Sequence, residues 1–91
     1  MATISIIQKH QLSSNNARSA AQEVAKQLAE DYDIVSEWEG NVMSFKRNGV
    51  SGTLVLREKE AHLDIMLGFL LSAFAPRIEE QVAKKMKKVF G

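Results

Sequence analysis

The sequence predicts an α+β two-layer sandwich in the order β-α-β-β-β-β-α, one antiparallel sheet with two helices on the same face. Three observations carry this. Apolar side chains recur at helical spacing in two separate stretches, Ala17 to Tyr32 and Ile78 to Phe90. Between them the apolar residues alternate with polar ones, broken by Gly40-Asn41 and Asn48-Gly49. The chain has 91 residues, which suits a single domain over 1–91 whose one core removes roughly 60 to 70% of the unfolded surface from water.

The first strand is read at Thr3 to His10, where β-branched residues put Ile4 and Ile6 on one side. Ser13 or Ser14 can accept an amide hydrogen bond at the start of the first helix. That helix sets Ala17, Ala20, Ala21, Val24, Leu28 and Tyr32 inward and Arg18, Gln22, Glu23, Lys26 and Glu30 outward. Its alanine-rich stripe lets it lie close to the sheet. A meander follows, with strands Ile34 to Glu39, Val42 to Arg47, Ser51 to Arg57 and His62 to Leu71, the last two joined through Glu58-Lys59-Glu60. Asn-Gly is a strong hairpin signal because both residues tolerate positive φ. Continued to its end, the last strand puts Leu63, Ile65, Leu67, Phe69 and Leu71 in the core and Asp64, Met66, Gly68, Leu70 and Ser72 on the other face. Pro76 suits the first turn of the closing helix, where its missing N–H costs nothing. Ile78, Val82, Met86, Val89 and Phe90 form the helix's inner stripe, opposite Lys84, Lys85, Lys87 and Lys88. Strand order is not encoded in this pattern.

Composition narrows function mainly by exclusion. A net charge of +1 offers no global field for nucleic acid or anionic lipid, and zero cysteines remove thiol catalysis and thiolate metal sites. The opening MATISIIQKH has no basic segment leading into a long apolar run, so no signal peptide is expected and a cytoplasmic location is the default. The densest apolar run, Ile65 to Ala75, falls short of the about 20 residues of a membrane-spanning helix.

His10 and His62, the two imidazoles, have no second ligand or acid/base partner at a productive spacing and read as surface or capping groups at strand ends. Ser13-Ser14-Asn15-Asn16 is what a helix start calls for. Gly40, Gly49 and Gly52 belong to hairpins and form no phosphate loop. The four lysines are accounted for by a solvated helix face, and Trp38, Phe45 and Phe69 occupy core-like positions, so base stacking is not expected. The expectation is no enzyme, no metal, no cofactor and no nucleic-acid partner. The uncovered sheet face would carry Ile7, Val42, Val55, Met66 and Leu70 among Thr3, Ser5, Glu37, Ser44, Thr53 and Asp64. Scattered, these need no explanation; contiguous, they mark an interface.

His10-x-Leu12, the alanine-rich helix, Trp38-Glu39-Gly40, Phe45-Lys46-Arg47-x-Gly49-Val50-x-Gly52 and Leu67-Gly68-Phe69-Leu70-Leu71 running on to Ile78-Glu79 together resemble the small polyhydroxyalkanoic acid system proteins, the granule-region family. The resemblance spans essentially the whole chain and rests on turns and core residues. It implies a bacterial accessory protein of storage-polyester metabolism, since members of the family are encoded beside polyester synthases, and it offers no catalytic residues to carry over. Combined with the mixed face, it leads to a non-enzymatic, granule-associated protein in which Met66, Leu70 and Phe74 meet a partner. That partner is a second subunit in a homodimer, a granule-coat protein or the polyester surface. The alternative is a module binding a small apolar ligand between sheet and helices; an enzyme ranks third.

Overall fold

The computed structural model describes residues 2–91. Its elements are β1 (Ala2–Lys9), α1 (Ser14–Tyr32), β2 (Val35–Glu39), β3 (Val42–Arg47), β4 (Val50–Leu56), β5 (Glu60–Leu67), a short 3₁₀ turn (Ser72–Phe74) and α2 (Ala75–Phe90). The sheet is antiparallel throughout, in the order β1-β5-β4-β3-β2. Chain geometry explains this order. After β1 the chain crosses the whole sheet on α1 to reach the far edge, and the meander then walks back strand by strand until β5 lies beside β1.

Capping sets where α1 begins. Ser13 Oγ accepts from the Asn16 N–H at 3.2 Å, and at the other end Asp33 takes the left-handed conformation, its N–H closing on the Ala29 carbonyl. Ala17, Ala20, Ala21, Val24, Ala25 and Leu28 are buried along its inner stripe. The second helix buries Ile78, Val82, Met86 and Phe90. It is tied to α1 by a hydrogen bond from the Tyr32 hydroxyl to Gln81 Oε1 and by Lys85 near Glu23 at 3.9 Å.

The register sorts the sheet into rows. Facing the helices, Ile4, Ile65, Gly52 and Phe45 form one row across four strands and Ile6, Leu63, Leu54, Met43 and Trp38 the next across five. These rows and the two helix stripes make the core. Gly52 permits close approach of its neighbours: a Cβ there would sit 2.4 Å from the Asp64 carbonyl oxygen.

Three expectations are corrected. The first strand ends at Lys9, so His10 lies beyond it and, buried at 5% exposure, is no surface group; it acts as a capping group, its Nδ1 accepting the Leu12 N–H at 3.1 Å, and its ring lies 5.5 Å from that of Phe90. The fourth strand starts and ends one residue early, at Val50 and Leu56. Most consequentially, β5 spans Glu60–Leu67 and stops four residues before Leu71. Period-two alternation fails at Gly68, whose N–H bonds the Gly49 carbonyl at 2.7 Å while its own carbonyl accepts from the Leu71 and Ser72 amides and the Ser72 hydroxyl. The chain turns around that carbonyl. Phe69 is therefore 85% exposed, not core, and Leu71 is half-buried against the core's margin.

Candidate functional site: an apolar end of the sandwich

The turn that ends β5 leaves large apolar side chains in solvent. Phe69 and Leu70 are exposed at 85% and 84%, Phe74 on the following 3₁₀ turn at 54%, and Met66 near the end of β5 at 48%. Exposed Leu or Phe occurring singly is ordinary, but Phe69 and Leu70 are consecutive, and Leu71 links their hollow to the one that Phe74 lines. Burying each such side chain is worth roughly 1.5 to 3 kcal/mol.

Two features hold this end in shape. The β3-β4 hairpin is clamped to the turn by the Gly68 to Gly49 bond, and Phe69, Leu70 and Leu71 line a shallow hollow with Arg47, Asn48 and Gly49. Arg47 in turn donates to the Tyr32 carbonyl at 2.9 Å, joining the hairpin to the end of α1. Beside it lies a cleft of about 620 Å³ lined by Leu71, Phe74 and Ile78 and by the polar Glu30, Asp31, Tyr32, Arg77 and Gln81. Burial raises the Tyr32 phenol pKa above 10.0, the Asp31 charge adds to this, and Arg77 opposes it.

The uncovered sheet face divides differently from a simple scatter. Cross-strand pairing sets Ile7, His62, Val55 and Val42 in one row and Thr3, Met66, Ser51 and Lys46 in another, with Ser5, Asp64, Thr53 and Ser44 between them. Ser5 donates to Asp64 at 2.7 Å within that polar row. Met66 is thus cut off from Ile7, Val42 and Val55 and lies two residues before the exposed turn. Leu70 is exposed because it sits on the turn, whereas the alternation argument placed it on the sheet. Phe69 is the exposed residue that alternation assigns to the core; a glycine inside a strand pattern can mark a bulge or a close backbone approach, and Gly68 makes such an approach to Gly49, a non-local contact that also ends the strand.

Among the described residues no three His, Cys, Asp or Glu side chains come together as a metal site, and no helix is long and apolar enough to cross a membrane. His62 Nε2 lies 3.1 Å from Glu60 Oε1 on the open face, away from the apolar end. Lys84 pairs with Glu80 at 3.3 Å on the exposed side of α2.

The fold and this surface define a small two-layer α+β protein whose main distinguishing feature is an apolar end built on a clamped turn. The chain belongs to the polyhydroxyalkanoic acid system family: the family model described as "Putative polyhydroxyalkanoic acid system protein" matches residues 4–90. No curated protein and no solved structure matches it.

Proposed function

We propose that this protein is a non-enzymatic accessory of polyhydroxyalkanoate storage that works in the cytoplasm at the granule surface. It makes contact through Phe69, Leu70 and Phe74, with Met66 at the margin of the contact. The observation that carries the reading is the adjacent exposure of Phe69 and Leu70 on a turn fixed by backbone hydrogen bonds. Such a turn presents its side chains with no backbone-ordering cost at the moment of contact, which suits an extended greasy surface. Membership of the polyhydroxyalkanoic acid system family supports taking that surface to be a storage polyester or its protein coat.

Co-sedimentation with isolated granules tests the reading. The wild-type protein is expected in the pellet and a folded Leu70→Glu variant in the supernatant. Repeating the assay on protease-stripped granules separates polymer from coat protein as the contact. Equal pelleting of wild type and variant would reject the apolar end as the contact.

A second reading draws support from the cleft at Tyr32. Its volume of about 620 Å³ and its lining of three apolar residues with five polar or charged ones, Arg77 among them, suit a small amphipathic ligand. Protection of the Tyr32 ring or a shift in its titration on adding a short hydroxyalkanoate oligomer would favour this reading.

A further inference from the structure

The two edges of the sheet are unlike each other. The β2 edge has five residues, VSEWE, and its central residue is Glu37. Pairing two such edges about their middle would set Glu37 against the partner's Glu37, a direct like-charge contact. Arg18 also closes that corner, its guanidinium 4.2 Å from the Trp38 ring and donating to the Gly40 carbonyl at 2.8 Å. These are the devices that keep an edge from pairing.

The β1 edge has none of them. Its eight residues, ATISIIQK, contain no proline and no charge before Lys9, and it pairs regularly with β5 along its whole length. A long, regularly paired edge rich in β-branched residues is a template for another strand.

We propose that two copies of this chain join through their β1 edges, antiparallel, into a continuous ten-stranded sheet. Strand chemistry permits it. A two-fold axis through Ser5 sets Ile4 against the partner's Ile6 on the helix side and Thr3 against the partner's Ile7 on the open side. From Ala2 to Gln8 each pair keeps its face, and none of these pairs opposes like charges.

The helix layer agrees. On α2, Gln81 and Lys85 turn toward α1, to Tyr32 and Glu23. Helical rotation places Glu79, Ala83 and Lys87 on the opposite flank, the side of the β1 edge against which α2 packs. Neither Glu79 nor Lys87 has an ion-pair partner among the described residues. They lie one turn either side of small Ala83. When the same axis brings two α2 helices together antiparallel, each Glu79 approaches the partner's Lys87. The strand pairing and the helix charge pairs involve separate residues, and neither involves the apolar end. Because the axis reverses one copy, the two apolar ends point away from each other.

Sedimentation velocity up to about 200 µM, with amide exchange on the same samples, tests the proposal. The wild type should run at twice the 10.2 kDa chain mass, with β1 amides protected in step with dimer concentration. Ile7→Lys, at a position already 60% exposed, alters both Thr3–Ile7 cross-strand pairs of the dimer and should weaken association by up to about 30-fold while leaving the circular dichroism unchanged. Glu79→Lys should weaken it about tenfold, and adding Lys87→Glu should restore it. A wild-type monomer with fast-exchanging β1 amides, or a dimer indifferent to both Ile7→Lys and Glu79→Lys, would overturn the proposal. If Ile7→Lys does not fold, the charge swap on α2 decides.

Discussion

Gly52→Ala is the substitution for which the structure gives the most explicit cost. Gly52 faces the helices between Ile65 of β5 and Phe45 of β3, in a strand hydrogen-bonded on both sides. An added Cβ would meet the Asp64 carbonyl oxygen at 2.4 Å and Ile65 Cα at 3.0 Å, both backbone atoms, and Ile65 Cγ1 at 3.2 Å. The side-chain contact can be relieved by rotation. The backbone contacts cannot, because β5 is held on its other side by β1. Overpacking of this kind costs about 1 to 3 kcal/mol, and rigid neighbours put it near the upper end. The lower entropy of the unfolded alanine chain offsets about 0.4 to 1 kcal/mol. A net loss of about 2 kcal/mol lowers the melting temperature of a domain this size by roughly 8 to 16 °C. Gly49→Ala is the control: its φ of +85° is costly for alanine but nothing lies within 4 Å of the new Cβ, so it should lose only about 1 to 2 kcal/mol. Thermal denaturation followed by circular dichroism measures both. A Gly52→Ala protein melting within about 3 °C of wild type would refute the claim that β4 and β5 are held at this spacing.

Other outcomes follow from the same structure. Phe69→Ser combined with Leu70→Ser removes apolar area that is already in water, so stability should shift by no more than about 0.5 kcal/mol. The pair's partition onto granules should nevertheless fall by about 100-fold or more, since each side chain contributes roughly 1.5 to 3 kcal/mol on burial; pelleting assays read this. Ser13→Ala removes the acceptor for the Asn16 N–H and should cost about 1 kcal/mol, seen as a drop of about 4 to 8 °C in Tm. Tyr32 is the sole tyrosine, so tyrosinate absorbance reports it alone. Its midpoint should lie above 10.0 and should fall in Asp31→Asn, whose charge raises it. The folded state favours the neutral phenol, so the corresponding stability is intact below the unfolded pKa and is lost as pH rises through the folded one. Alkaline denaturation curves of wild type and Asp31→Asn should differ in that direction.

Local chemistry in the sequence accounts for much of this fold. The alanine stripe and Ser13 specify α1, Asn48-Gly49 specifies the central hairpin, and alternation along β5 as far as Leu67 specifies which face is core. These are decisions taken within a few residues, by caps, turns and side-chain period. The end of β5 is different. Nothing in Leu67-Gly68-Phe69-Leu70-Leu71 distinguishes a strand that continues from one that stops, because the stop is a hydrogen bond from Gly68 to Gly49, nineteen residues away. That one non-local contact moves Phe69 from core to solvent and gives the protein its apolar end. Burial of His10 against Phe90 is decided in the same way, by a helix at the other end of the chain. So, too, is strand order: the unlike edges β1 and β2 follow from α1 crossing the full width of the sheet, a matter of chain path that no local pattern contains. The sequence determined what each segment is; which side chains were left facing water, and which edges were left free, was settled only when distant backbone groups competed for one another.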